Sequence, residues 1–294
     1  MPEHRVTAQT RSLGVVGYPV RHSLSPQLQR ILFELLGIDA CYHAFEVPEE
    51  ALEPAIRGAA ALGFVGLNVT VPHKERAARL CDDLSAEAQA LGVVNTLAFR
   101  NGSILGTTTD PIGFLRPLEA QGFELQRKAV AVIGAGGAAR AVAYACATAG
   151  ARVIRIVNRS LHRATALVDT LAPLFPGVLL EAYPMRYEDL DRLLEADLIV
   201  NATSVGMWPE HGKSVLPEHV HLPRGALAYD LVYNPVRTLF LRQAERDGAA
   251  TQGGLDMLIY QALGSLAFWF GREIPEDPDL IREVRHQLEK ELPE

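Results

Sequence analysis

The chain has 294 residues, 28 of them Lys or Arg against 35 Asp or Glu, for a formal charge of −7, and domains of roughly 100–200 residues make two domains the expectation. A hydrophobic fraction of 48% and a charged fraction of 21% exclude a collagen-like, disordered or disulfide-framework protein. The acidic balance argues against a general nucleic-acid binder, which needs a basic surface.

Only Lys74, Lys128, Lys213 and Lys290 are lysines, beside 24 arginines, so a retained lysine invites a chemical explanation. Cys41, Cys81 and Cys146 are scattered, without CxxC spacing, which suits a reducing compartment rather than a disulfide or zinc framework. The opening MPEHRVTAQTR is polar and unlike a signal peptide, and no run approaches the ~18 apolar residues of a membrane span. The expectation is a soluble cytoplasmic protein.

Short apolar strands alternate with helical segments, the pattern of an α/β fold with a parallel sheet. Strands are predicted near Leu13–Gly17, Tyr42–Glu46 and Gly66–Thr70. A helix over Pro26–Leu36 has Ser25 as its expected N-cap and Gly37 as its stop. A second block opens near Lys128 with a buried strand, Ala129–Ile133, a small-residue helix, Ala138–Ala149, and a strand, Arg152–Val157. Leu198–Asn201 and Leu227–Leu231 are further strands. Met257–Phe270 is apolar on nearly all faces, which predicts a helix buried between other elements. Packing need then returns the terminal helices to the first domain. The expected division is a first domain of residues 1–115 and 254–294 around a second of residues 116–253.

Gly134-Ala135-Gly136-Gly137-Ala138-Ala139 follows a strand and opens a helix, which is G-x-G-x-x-G/A in the setting that gives it meaning. Gly134 allows a tight turn, Gly136 lets a pyrophosphate approach the backbone, and the helix N-terminus offers free N–H groups. An NAD site would place an acid roughly 20 residues on. Here the second strand ends in Asn158-Arg159-Ser160, with Arg163 one turn later and no acid. Arginine and serine there suit a ribose 2′-phosphate, so the expected cofactor is NADP.

Ser23 and Ser25 flank a helix start where two hydroxyls and free N–H groups would hold a carboxylate. Asn68 and Thr70 would share one face of a strand and suit a polyol. Lys74, unlike an arginine, can be tuned to give up a proton, whereas His73 beside it is read as structural. Asp110 near Lys74 would fix the ammonium and share its proton, and Asn95 is a polar residue closing an apolar stretch. His211, His219 and His221 lie in a polar, Pro-rich stretch without a metal pattern.

Together these strings resemble the shikimate/quinate dehydrogenase family. Nine occur in family order: HSLSP (His22–Pro26), NVTVPHK (Asn68–Lys74), VVNT (Val93–Thr96), TD (Thr109–Asp110), GAGGAARA (Gly134–Ala141), NRS (Asn158–Ser160), NATSVGM (Asn201–Met207), DLVYNP (Asp230–Pro235) and GGLDMLIYQA (Gly253–Ala262). The resemblance implies a substrate domain built from both chain ends, an inserted Rossmann domain and an active site in the cleft. It implies NADPH-dependent, reversible reduction of 3-dehydroshikimate to shikimate. Ser23 and Ser25 would hold the carboxylate, and Asn68, Thr70, Asn95, Asp110 and Gln261 the ring hydroxyls. Lys74 and Asp110 match the catalytic pair, Tyr233 a substrate-side tyrosine, and Thr203, Met207 and Gly254 the cofactor side, the last two beside the nicotinamide. The usual Asn-Thr-Asp-Gly here reads Thr108-Thr109-Asp110-Pro111, and Pro111 stiffens the joint. The partner expected is the small-molecule substrate, with neither nucleic acid nor membrane, and the chain is expected as a monomer or homodimer. The alternatives are a quinate or mixed-specificity dehydrogenase, against which Ser25 speaks, and a non-catalytic NADP sensor.

Overall fold

The computed structural model describes residues 6–186, 190 and 195–292; the first five residues of the polar opening stretch and the last two of the expected 254–294 segment lie outside the described residues. Two compact units emerge, one running to Thr109 and taking in Gln261–Glu291, the other spanning Asp110–Tyr260.

In the first unit, β1 (Arg11–Gly17), α1 (Ser25–Leu36), β2 (Ala40–Glu46), α2 (Leu52–Ala61), β3 (Gly66–Val69), α3 (Lys74–Ala78), β4 (Asp83–Leu84), α4 (Ala86–Leu91), β5 (Thr96–Arg100) and β6 (Ser103–Thr107) follow one another. Among the described residues the sheet order is β2-β1-β3-β5-β6-β4. β1 lies parallel to β2 and β3, and β5 is antiparallel to β3 and β6. Asn101 and Gly102, both at positive φ, form the two-residue turn that matches the twist of the β5–β6 hairpin. Val16, Leu67, Val69 and Leu97 bury one sheet face against Leu52 and Ile56 of α2.

Ser25 is not the N-cap of α1. The cap position is Leu24, which has no side-chain capping bond, and Ser25 is the first helical residue. Pro26 has no N–H to satisfy, and the Ser25 N–H is met by Ser23 Oγ at 3.2 Å, so the capping role passes to Ser23. Gly37 closes the helix in the left-handed conformation as expected. Strand β3 stops at Val69, one residue before Thr70, although the Thr70 N–H still reaches the Val16 carbonyl at 2.9 Å.

The second unit continues with α5 (Asp110–Ala120), β7 (Ala129–Ile133), α6 (Gly137–Thr148), β8 (Val153–Asn158), α7 (Leu161–Leu171), β9 (Leu179–Pro184), β10 (Leu198–Asn201), β11 (Leu227–Asp230), α8 (Leu239–Asp247) and β12 (Ala250–Gln252). All ladders are parallel in the order β12-β11-β10-β7-β8-β9. Renumbered from β7, this is the 3-2-1-4-5-6 order of a dinucleotide-binding sheet. Every residue of β7 and of β10 is buried, as a strand covered on both faces requires.

The long helix α9 (Gly254–Phe270) leads to α10 (Pro278–Glu289). Within the first unit, the Trp269 indole N–H donates to the Leu97 carbonyl at 2.8 Å. A Cβ on Gly66 would collide with that carbonyl and with the indole, so glycine is required where the helix lies on β3. Helix α10 packs on α1, with Arg30 and Glu291 paired at 2.9 Å. The units part at 109/110 and 260/261, a few residues from the expected 115/116 and 253/254. The shift has local causes. Phe114 of α5 stacks on Tyr229 at 4.9 Å, and Gln252 donates to Asp256 in the first turn of α9 at 3.0 Å.

Candidate active site

The first unit gathers its polar residues at the carboxyl ends of β1 and β3. This is the switch point where the chain turns to opposite sides of a parallel sheet, and ligands bind there. The Tyr18 N–H donates to the Val71 carbonyl at 3.0 Å, bringing the loop that carries Ser23 beside the loop that carries Thr70 and leads to Lys74. A Cβ on Gly17 would collide with the Thr70 methyl, so this approach needs glycine.

Below these loops lies a buried hydrogen-bond network. Tyr42 bonds with Ser25 and donates to Asn68 Oδ1 at 2.7 Å. Burial holds its phenol well above the usual value, with the Ser25 bond acting against this, so Tyr42 stays a protonated donor. Asn68 Nδ2 faces the Asn95 carbonyl, Thr96 Oγ1 and Ser265 Oγ, each at 3.1 Å. Asn95 Oδ1 accepts from the Thr109 N–H at 2.9 Å and from Thr96 Oγ1 at 2.8 Å, while Nδ2 donates to Thr109 Oγ1 at 3.0 Å. Ser265 Oγ donates in turn to the Gln261 carbonyl at 3.0 Å.

Lys74 opens α3, half-buried, and its carbonyl accepts from the Val94 N–H at 3.0 Å. His73 is buried, with Nε2 2.7 Å from the Val47 carbonyl. That bond requires the proton on Nε2, so the structural reading of this histidine holds. Ser23, Ser25, Asn68, Thr70, Lys74, Asn95 and Gln261 thus share the first unit. Tyr42 and Ser265 are partners that sequence reasoning missed, while Thr96 and Thr109 stand in the VVNT and TD strings without a role assigned to them. Ser265 left a signal, a polar residue one turn after Gln261 in a mostly apolar helix.

In the second unit, Gly134 has φ +119°, and its turn lies against the Ala202 carbonyl, 3.0 Å from where a Cβ would sit. Gly136 is the N-cap of α6 and makes no side-chain capping bond. A Cβ there meets nothing within 4 Å, so protein packing does not demand the glycine, and a side chain would fill the space over the open helix N-terminus. Gly137 opens α6, with Ala135 and Ala138 half-buried to either side. At the end of β8, Asn158 Nδ2 donates to the Ser160 carbonyl at 3.0 Å. Arg159, Ser160 and Arg163 are exposed, and neither arginine makes an ion pair among the described residues. An uncapped helix N-terminus followed by two unpaired arginines fits a dinucleotide with a 2′-phosphate.

Asn201 and Asp230 end the neighbouring strands β10 and β11 as register partners. Asn201 Oδ1 accepts from the Thr203 N–H at 3.1 Å and hydroxyl at 2.7 Å, which shapes the turn leading to Met207. Tyr233 follows β11, and burial raises its phenol above the usual value. A Cβ on Gly254 would collide with the Leu231 carbonyl, so α9 starts hard against the end of β11. Asp110 is buried as the first residue of α5, with Pro111 in the first turn, where proline is tolerated. Lys74 and Asp110 fall in different units, as do Gln261 and Tyr233. His221 bonds Asp247 at 2.9 Å, and no cluster of metal ligands occurs among the described residues. No described helix is long and apolar enough to cross a membrane.

Family models match along the chain: the shikimate dehydrogenase substrate binding domain over residues 15–97, shikimate/quinate 5-dehydrogenase over 118–207, and the shikimate 5′-dehydrogenase C-terminal domain over 254–280. The NADP(+) shikimate dehydrogenase of Methanopyrus kandleri is 46% identical over 274 residues, 92% of this chain and 93% of that protein. A crystal structure of a shikimate dehydrogenase in complex with NADP+ superposes with a TM-score of 0.89 at 34% identity, covering 99% of this chain and 98% of the other. The Thermus thermophilus enzyme in complex with NADP(H) and shikimate gives 0.83 at 37% identity, covering 95% and 99%. Sequence likeness over nine-tenths of the length, carried on the same two-unit α/β fold, means that the chain belongs to the shikimate dehydrogenase family.

Proposed function

We propose that the chain catalyses the reversible NADPH-dependent reduction of 3-dehydroshikimate to shikimate in the cytoplasm, within the route to chorismate and the aromatic amino acids. The observation that carries this reading is the bond from Val94 to the Lys74 carbonyl. It sets one of four lysines beside an amide-and-hydroxyl network suited to a polyol, in a chain of this family.

The assignment of roles follows from chemistry. Ser23 and Ser25 hold the substrate carboxylate. Asn68 through its remaining oxygen lone pair, Thr70, Asn95, Asp110 and Gln261 address the ring hydroxyls, and Tyr233 is a substrate-side tyrosine. Gly134, Ala135, Gly136, Gly137 and Ala138 hold the pyrophosphate, and Asn158, Arg159, Ser160 and Arg163 the 2′-phosphate. Thr203, Met207 and Gly254 stand on the cofactor side, the last two beside the nicotinamide. When bound, NADPH supplies the hydride that reduces the ring ketone. Lys74 stabilises the negative charge growing on the ketone oxygen and delivers a proton to it, with Asp110 as its partner carboxylate. The chain acts as a monomer or homodimer.

Steady-state kcat/KM for shikimate and for quinate, each with NADP+ and NAD+, tests this reading. The expected result is a preference for shikimate with NADP+. A preference for quinate replaces the substrate, and cofactor binding without turnover of either acid points to a sensor.

A further inference from the structure

We infer that Asp230 is the positioning residue of the cofactor side, organising from one buried carboxylate the two loops that carry Thr203, Met207 and Tyr233. The inference rests on the roles proposed for those three residues and adds a residue to which that reading gives no task.

Asp230 is fully buried at the last position of β11. Its Oδ1 accepts from Asn201 Nδ2 at 2.9 Å and from the Val232 N–H at 3.0 Å, and its Oδ2 accepts from Thr238 Oγ1 at 2.6 Å. A carboxylate only accepts, so Asn201 must present its NH2 to Asp230. The opposite end of the amide, Oδ1, is thereby turned to Thr203, where it takes both the backbone N–H and the hydroxyl. Asn201 Nδ2 also reaches the Val205 carbonyl at 3.2 Å, and Thr203 Oγ1 accepts from the Val205 N–H at 3.1 Å. The turn 203–205 is wound around an amide whose orientation Asp230 dictates.

The second loop is held at both ends by the same carboxylate. The Val232 N–H bond fixes the departure from β11 just before Tyr233. Thr238, the N-cap of α8, closes the loop from the far side. The Trp208 N–H donates to the Asn234 carbonyl at 2.9 Å, joining one loop to the other.

No cation among the described residues pairs with Asp230, and burial pushes its carboxyl up to about 6 against the effect of its hydrogen bonds. An unpaired buried carboxylate is unfavourable. Asparagine would fill the same space without a charge, but it would leave an NH2 able to face Asn201 and so release the amide from its single orientation. The acceptor-only carboxylate is the group that removes this freedom, and departures from local stability rules concentrate at functional sites.

The test combines Asp230→Asn, Asp230→Ala and Thr203→Val, with NADPH affinity read by fluorescence titration and folding by circular dichroism. Asp230→Asn, which keeps the shape and part of the bonding, stays folded and raises the NADPH Kd about tenfold, the loss expected for weakened bonds to a charged group. Asp230→Ala, where it folds, raises it further. Thr203→Val weakens binding in the wild-type background and adds little on top of Asp230→Asn, because both changes remove the same orientation. Multiplicative effects in the double variant, or a wild-type Kd in Asp230→Asn, overturn the inference and leave the functional reading standing. A wild-type chain that fails to bind NADPH overturns the functional reading itself, and the inference with it.

Discussion

The carbonyl of Lys74 accepts the Val94 N–H at 3.0 Å, and the carbonyl of Asn95, the residue after Val94, accepts the Val69 N–H at 2.8 Å. Main-chain bonds therefore hold the lysine beside Asn68 and Asn95, and the placement of its backbone does not depend on the ammonium group. Lys74→Ala is expected to leave the fold and the NADPH Kd unchanged while lowering kcat by about 10²–10⁴, the usual worth of a general acid. Lys74→Arg keeps the charge but cannot release a proton, so it is expected to recover little of the loss. Single-turnover kinetics with both variants check this: wild-type turnover in Lys74→Ala removes Lys74 from the mechanism, and wild-type turnover in Lys74→Arg removes its role as proton donor.

Ser265 joins elements far apart in the chain. Its hydroxyl lies 3.1 Å from Asn68 Nδ2 and 2.9 Å from Thr96 Oγ1 while donating to the Gln261 carbonyl. Ser265→Ala leaves buried groups on β3 and β5 short of a partner, at a cost of about 1–3 kcal/mol. Urea unfolding is expected to show a lower midpoint with an unchanged slope, together with a raised KM for shikimate as Asn68 loses its fixed orientation.

Lys74 and Ser265 differ in how far the sequence announces them. Gly134-Ala135-Gly136 is readable because the motif encodes local backbone geometry, a positive φ and an uncapped helix start, between strands whose apolar runs announce burial. Leu198–Asn201 is recovered residue for residue for the same reason. Ser25 looks like an N-cap in sequence because Pro26 follows it, yet it lies inside the first turn and leaves Ser23 to accept the free N–H. The Asn68–Ser265 bond spans 197 positions and the Asn201–Asp230 bond 29. Periodicity and capping rules act over a few residues, so only the folded sheets reveal which polar groups meet.

Arg159 and Arg163 stand exposed after β8, without ion pairs among the described residues. Arg159→Ala is expected to raise the KM for NADPH about tenfold, as for one charge-assisted hydrogen bond, and to leave the KM for NADH unchanged. Arg163→Ala acts in the same direction. Because both side chains are in solvent, added salt is expected to weaken NADPH binding by the wild type more than by the variants. Equal effects of Arg159→Ala on both cofactors would reassign the arginine to general phosphate contact.

Asp230 gives a pH dependence of definite sign. Burial first, opposed by the bonds from Thr238, Val232 and Asn201, lifts its carboxyl from 3.8 to about 6. Between these values the unfolded chain has released the proton and the folded chain still holds it. Stability from this group is therefore fully present below pH 3.8 and declines as pH rises to about 6, beyond which the loss is complete. Two pKa units correspond to roughly 3 kcal/mol. Asp197 and Asp247 are partly desolvated, yet the Ala129 N–H with Lys128 holds the first below the usual range and His221 with the Leu222 N–H the second; they contribute in the opposite direction but are common to wild type and variant. The difference in unfolding free energy between wild type and Asp230→Asn is thus expected to shift by about 3 kcal/mol against the wild type from about pH 4 to about pH 7. Parallel urea titrations across that range measure it, and a difference that does not change with pH would mean that the carboxyl titrates alike in both states.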